Sequence, residues 1–311
     1  MNKLYTAQEV ADRLKIKKTT VYELIKRGEL ESSKIGKQLR ISEEQLERYV
    51  SGSAANPPAS VETPMQFPDF QPESSLLKRD YLLYSSGLII SGQANPALEY
   101  LIDQMAVHPG GLPVLHSHLN TYNGLYSLYF KKVHATTAGI RPEHIPVLLP
   151  GIPAAALVLY EYRLGFFVPK GNPKKITGIR DLIRSDVTLA NREKGSTARM
   201  YLDNALKESG ISPSAIAGYE KERVSDLSTA NSVLTGQADA AIGAEPVVCK
   251  SRELDFFPLT VLPMLLVMED ASLDRPGFSA LTEIVGSEEF RTVLKLHGGC
   301  DTTRTGELLY L

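Results

Sequence analysis

The sequence predicts a two-part chain: a small head of helices with a β-hairpin, and a larger α/β body in two lobes. Three observations carry that expectation. Charge is uneven: residues 1–50 hold eleven Lys and Arg against eight Asp and Glu, a net of +3, while the remainder nets −5. Residues 52–76 hold five prolines and little periodic apolar pattern, the composition of a semi-extended linker. From Leu77 onward, strand-like apolar runs alternate with helical patterns, the order of an α/β fold with largely parallel strands. That stretch is long for one sheet and comfortable for two lobes.

Composition limits function. The chain has 311 residues, enough for two or three domains, with 43% hydrophobic and 23% charged residues and a formal charge of −2. That balance argues against a protein coating nucleic acid over its whole surface, and points instead to a basic module on a mildly acidic body. The opening MNKLYTAQEVADRL lacks the apolar core and cleavage site of a secretory signal. The most apolar stretch, PVLLPGIPAAALVLY, is broken by prolines and falls short of a membrane span. A cytoplasmic protein without a membrane partner is expected. Cys249 and Cys300 are too few and too far apart for a disulfide framework or a zinc cluster and read as inert thiols.

In the head, Thr6 caps a first helix with Glu9 three residues later, and Val10 and Leu14 give it an apolar face. KIKKTT turns the chain into a second helix with Val21, Leu24 and Ile25 inward, stopped at Gly28. ESSKIGKQLRI alternates like a hairpin about Gly36 and Lys37, and Ser42 caps a last helix, EEQLERYV. Helix, turn, helix, hairpin, helix is the order of a winged helix-turn-helix, expected over residues 1–51. The N-terminal end of its second helix presents Lys17, Lys18, Thr19, Thr20 and Tyr22 to base edges and phosphates. Lys26 and Arg27 follow, and Lys34, Lys37 and Arg40 decorate the hairpin, clustering cations as phosphate neutralisation requires. Residues 3–50 resemble the excisionase-type, MerR-related helix-turn-helix family, in the EVADRL start, the VYELIKRGEL helix and the KIGKQLRI wing. The resemblance implies binding to double-stranded DNA as a homodimer or higher oligomer.

In the body, NREKGSTAR reads as a strand end, a tight turn and a helix start. Unpaired N–H groups and the positive end of the helix dipole suit a small anion there. Gly195 admits close approach, Ser196 and Thr197 add hydroxyls, and Arg199 adds a charged fork. A plain helix cap with a surface Arg fits these nine residues equally well. Two further strand–helix junctions favour a ligand: Ser91, Gly92 and Gln93, and then Asn120, Thr121, Tyr122 and Asn123. Ligands gather at the carboxyl ends of strands in open α/β sheets, so the three junctions converge on one cleft.

The body resembles type II periplasmic-binding-protein domains, in the cytoplasmic version joined to helix-turn-helix heads and related to molybdate-binding proteins. The likeness rests on GFFVPKGNPKKITGIRDL, NREKGSTAR and GYEKERVSDLSTANSVLTGQADAAIGAEP. It implies a ligand-binding domain over residues 77–311, with lobe one from 77–167 and 263–311 and lobe two from 168–262. It implies ligand contacts at Ser91, Gln93, Thr121, Tyr122, Ser196, Thr197 and Arg199, with Tyr219 and Glu222 at the cleft edge. Asn120-Thr121 and Ser225-Asp226 depart from the family pattern, which opens the identity of the ligand.

His116 and His118 share one face of a strand, but no third ligand completes a metal site, and no metal or resident cofactor is expected. No G-x-S-x-G elbow, P-loop, H-E-x-x-H or G-x-G-x-x-G occurs, which argues against an enzyme. The expected protein is a one-component transcriptional regulator. Its effector is a small anion such as molybdate or tungstate, bound without chemistry. The alternatives are a regulator sensing a small organic acid or phosphorylated metabolite, and an enzyme acting on such a metabolite.

Overall fold

A computed structural model gives the fold; it describes residues 4–26, 30, 32–35, 38–43, 45–46 and 87–311. The chain divides into two compact units, residues 1–70 and 71–311.

The first unit begins with β1 (Leu4–Thr6), a strand too short to show in the sequence pattern, followed by α1 (Ala7–Leu14) and α2 (Lys18–Lys26). The hairpin is β2 (Ser33–Ile35) and β3 (Gln38–Ser42), and β1 adds antiparallel to β3. Thr6 and Glu9 form the anticipated capping box: Glu9 N–H donates to Thr6 Oγ1 at 3.2 Å and Thr6 N–H to Glu9 Oε2 at 2.7 Å. Ser42 and Gln45 exchange the same pair of bonds, starting the next helix as Ser42 was expected to. Val10, Ala11, Val21, Leu24, Leu30 and Ile41 close one core. Gly28, Gly36, most of EEQLERYV and the 52–76 linker lie outside the described residues.

In the second unit β4 (Leu88–Gly92), α3 (Pro96–Val107), β5 (Val114–His118), α4 (Thr121–Tyr129) and β6 (Ala135–Ala138) alternate as anticipated. A short α5 (Ile145–Leu148) leads into β7 (Ala154–Pro169). Then come β8 (Leu189–Arg192), α6 (Thr197–Ser209), β9 (Glu222–Arg223), α7 (Asp226–Leu234) and β10 (Ala240–Ala244). The chain returns along β11 (Leu254–Glu269) and ends with α8 (Phe278–Gly286), α9 (Glu288–His297) and β12 (Leu308–Tyr310).

The strands lie in the order β5-β4-β6-β11-β7-β10-β8-β9, with β12 on β7. This corrects the largely parallel expectation. At one end β4 runs parallel to β5 and β6, and at the other β8 runs parallel to β9 and β10. Between them the two 16-residue strands β7 and β11 pair antiparallel with each other. The physical reason is length: an apolar run of that size crosses from one parallel group to the other, and its partner brings the chain back. Residues 265–268 of β11 pair with β6, while residues 164–167 of β7 pair with β10. Both faces of the sheet are covered. Adjacent residues Ile89 and Ile90 of β4 enter different cores, Ile90 with Leu98 and Leu101 of α3, Ile89 with Leu125 and Leu128 of α4.

Candidate functional site

The head places its predicted DNA-facing residues at the start of α2. Lys17 lies just before the helix and its carbonyl accepts from Thr20 N–H at 2.9 Å, tying down the first turn. Lys17, Lys18 and Thr19 are exposed and Thr20 is half-buried. The Tyr22 ring is 44% exposed although Val21 and Leu24 beside it are in the core. Lys26 closes α2, Lys34 lies in β2, and Arg40 on β3 stands opposite Thr6 and Ser33. Arg27 and Lys37 lie outside the described residues.

In the body a cavity of about 450 Å³ lies where the strand ends of both parallel groups meet. Four helix N-termini open onto it, through Asn95 and Pro96 of α3, Thr121 of α4, Thr197 and Ala198 of α6, and Ser225 to Leu227 at α7. Each helix is closed by a side-chain cap. Asn95 accepts from Leu98 N–H at 3.0 Å, Asn120 from Asn123 N–H at 3.0 Å, Ser196 from Arg199 N–H at 3.3 Å, and Ser225 from Ser228 N–H at 3.1 Å. Capping fixes these ends but leaves earlier N–H groups of each first turn without intrahelical partners. Four dipoles therefore put their positive ends on one cleft.

The rest of the lining includes Glu99, His118, His297 and a set of hydroxyls. Thr121 Oγ1 and Thr197 Oγ1 are 2.9 Å apart. Tyr160, Tyr162 and Leu164 line the cavity from alternate positions of β7, just after the register of the β7–β11 pair shifts at Tyr160. That irregularity, next to a site, sets which residues of the strand face inward. Burial pushes the phenols of Tyr160 and Tyr162 upward, so both stay neutral donors. Gly139 allows Tyr162 and Thr197 to approach: a Cβ there would fall 2.3 Å from Tyr162 Oη and 3.1 Å from Thr197 Oγ1.

The cation on the cavity wall is Arg192, the last residue of β8 and 1% exposed. Its guanidinium donates to the Asp226 carboxylate, to Glu193 Oε1 at 3.0 Å and to the carbonyls of Arg223 and Val224 at 3.2 and 3.3 Å. Asp226 is itself fixed, accepting from Ala244 N–H at 2.9 Å.

Of the residues picked out from sequence, the structure brings Gln93, Thr121 and Thr197 to the cavity. It places the others elsewhere. Ser91 lies beneath, donating to Thr136 Oγ1 at 2.8 Å. Ser196 serves as cap and donates to the Glu193 carbonyl at 2.9 Å. The Tyr122 ring is exposed while its N–H donates to Gly195 O at 3.0 Å. Arg199, a helix residue, turns away from the cavity and is buried against Asp203 (2.9 Å) and Glu222 (3.0 Å), with its guanidinium 4.2 Å from the Tyr219 ring centroid. Tyr219 and Glu222 are therefore partners of Arg199 rather than cavity-lining groups. Sequence reasoning passed over Arg192, although a charged residue closing an apolar strand is itself the signal of a strand-end site. Tyr160 and Tyr162 were hidden inside a long apolar run.

Several bonds join the two ends of the sheet over the cavity. Gln93 Nε2 donates to Glu193 Oε1 at 3.3 Å, and Asn120 Nδ2 donates to Lys194 O at 3.2 Å. Gly195, at φ +89°, lies against this junction; a Cβ there would meet Tyr122 Cβ at 2.9 Å and Asn120 Oδ1 at 3.1 Å. His116 is engaged elsewhere, 2.9 Å from Gly92 O. Among the described residues no group of three or more His, Cys, Asp or Glu side chains is placed to hold a metal ion. Nor is any described helix long and apolar enough to cross a membrane.

Comparison with known proteins agrees with this architecture. Residues 102–286 match a PBP superfamily domain, and residues 4–53 match a helix-turn-helix domain of the excisionase-like type. Protein YvgK of Bacillus subtilis (strain 168) is 32% identical over 311 residues, covering 98% of this chain and 97% of YvgK. A Clostridium pasteurianum protein from the 5′ region of the 2Fe-2S ferredoxin gene is 35% identical over 110 residues, covering 35% of this chain and 97% of that protein. Among solved structures, a putative phosphate transporter substrate-binding protein from Clostridium perfringens, with bound phosphate, superposes with TM-score 0.52. It shares 15% identity over 69% of this chain and 98% of its own. The P235GK mutant of ArgBP from T. maritima superposes with TM-score 0.50 at 16% identity over 70% of this chain and 97% of its own. At such identities these structures share the fold, a mixed α/β sheet of the type II binding-protein kind.

Proposed function

We propose that this chain, which belongs to the PBP superfamily and joins that domain to an N-terminal helix-turn-helix, is a one-component transcriptional regulator whose cleft binds a small anionic effector. The observation that carries the reading is the convergence of four helix N-termini and a buried arginine on one cavity, in a chain that also bears a DNA-binding head. Helix ends, hydroxyls and a fixed guanidinium hold an anion without reacting with it. The arrangement calls for binding and closure, not catalysis.

In this reading β7 and β11 are the hinge strands between the two lobes. The bonds of Gln93, Asn120 and Tyr122 to Glu193, Lys194 and Gly195 belong to the closed state. An anion bridging the helix ends favours closure by its differential affinity for the closed state. Closure then alters the operator affinity of heads acting in pairs, in the cytoplasm. Molybdate and tungstate are the oxyanions that the family resemblance supplies; organic acids and phosphorylated metabolites are the other effector class.

The test is melting temperature with molybdate, tungstate, sulfate, phosphate and small organic acids, followed by DNA binding to the promoter region of the protein's own gene with and without the stabilising compound. A stabilising anion that changes DNA affinity roughly 5- to 150-fold supports the reading. Stabilising compounds that are all uncharged, or an anion that binds without altering DNA affinity, would refute it.

A further inference from the structure

We infer that the effector is an organic anion rather than a free tetrahedral oxyanion: one carboxylate or phosphate group on an apolar or aromatic body, with roughly ten to fifteen non-hydrogen atoms in all. This rests on the regulator reading above and names the ligand class of the same cavity.

Size comes first. At about 30 Å³ per water, a cavity of about 450 Å³ corresponds to about fifteen waters. An oxyanion of five atoms fills about a third of it and leaves the rest to water. Shape agrees. Tyr160, Tyr162 and Leu164 occupy alternate positions on one face of β7, a floor about 13 Å long at ~3.3 Å per residue. Met264 of β11 stands opposite Tyr160 in the ladder and extends this floor with a thioether. A single compact ion has no use for an elongated floor of aromatic rings and aliphatic chains. A ring or chain does.

Polar groups point the same way. Thr137 and Tyr160 are 3% and 1% exposed and line the cavity, and their side-chain hydroxyls make no hydrogen bond with any described residue. No buried side-chain oxygen among the described residues is sealed off without a partner, so these hydroxyls reach the cavity. Two unspent, immobile hydroxyls apart from the Thr121–Thr197 pair are sites for a substituent on the ligand's body.

Charge sets the last condition. Arg192 is already balanced by Asp226 and Glu193 and spends most of its five N–H groups on them and on two carbonyls; Nη1 bonds Asp226 alone and keeps one hydrogen. Glu99 lines the cavity as well. One guanidinium hydrogen plus helix-end N–H groups serve one anionic group at one end of the cavity and leave the rest of the lining to the ligand's body.

The experiment is calorimetric titration of the full chain. One arm uses molybdate, tungstate and inorganic phosphate. The other uses a panel of aryl and alkyl carboxylates and phosphate monoesters that includes phenylacetate, 4-hydroxybenzoate and phenyl phosphate. At least one organic anion is expected to bind tenfold or more tighter than any inorganic one. Thr137→Val and Tyr160→Phe should each weaken it about five- to tenfold without lowering the unliganded melting temperature by more than a few degrees. Two variants are used so that one remains readable if the other perturbs folding. The inference is overturned if an inorganic oxyanion outcompetes the whole panel, if no organic anion binds, or if binding ignores both substitutions. Tight oxyanion binding that still changes DNA affinity would leave the regulator reading standing without this one.

Discussion

Thr121 Oγ1 and Thr197 Oγ1 lie 2.9 Å apart, joining the first residue of α4 to the first residue of α6. One hydroxyl pair thus connects the two parallel strand groups at the edge of the cavity. Any ligand held by both helix ends is held by both sides of the cleft.

The same junction needs Gly195. Its φ of +89° is a conformation that side chains resist, and a methyl would press on Tyr122 and Asn120. Gly195→Ala is expected to lower the stability of the body by about 1–2 kcal/mol and to weaken effector binding severalfold. Thermal melts and titration calorimetry check this, and unchanged effector affinity would detach the junction from ligand-driven closure.

Arg192 and Arg199 should separate cleanly. Arg192→Met strands Asp226 and Glu193, whose side chains are mostly buried, and is expected to cost roughly 3 kcal/mol and abolish the effector response. Arg199→Ala breaks pairs with Asp203 and Glu222, whose side chains are 42% and 35% exposed, and loses the bond of the buried guanidinium to Arg192 O and its packing on Tyr219, for roughly 2–3 kcal/mol. Effector affinity should survive it. Equal loss of effector binding in the two variants would return Arg199 to the site.

On the head, Lys18→Ala removes an exposed charge from the start of α2. DNA affinity should fall across all sequences, and the slope of log affinity against log salt should become shallower by about 0.9. An unchanged slope would place the phosphate contacts elsewhere.

His134 gives a pH signature. Its Nδ1 accepts from Ile89 N–H at 2.8 Å, and burial, with Arg275 adding, lowers its pKa below the usual imidazole value of 6.5. The unfolded chain therefore binds a proton that the folded chain refuses, so stability is full above about pH 6.5 and falls as pH drops below it. Melting temperature between pH 7.5 and 5 should show this decline, and His134→Asn should flatten it. Equal pH dependence in the variant would assign the effect to another group.

Much of the architecture was legible because its signals are local. The Thr6–Glu9 capping box, the hydroxyl-led helix start at Ser196 and the apolar spacing of Val10, Val21 and Leu24 each act within a few residues. The strand–helix junctions at Gln93, Thr121 and Thr197 were legible for the same reason. The antiparallel pair β7–β11 was not: residue 154 stands opposite residue 269, and nothing within either run names its partner.

By itself the sequence determined a helix-turn-helix head and an α/β body with polar strand ends, since propensity, capping and periodicity are properties of short segments. Only the tertiary structure decided which groups face the cavity. Arg199, four residues before Asp203 on one helix, is captured by that neighbour and by Glu222, whereas Arg192 at a strand end is held on the cavity wall by Asp226 from another element. Tyr160 became part of the floor because of the irregularity in the β7–β11 ladder. Choices of that kind depend on distances between segments far apart in the chain, which packing alone fixes.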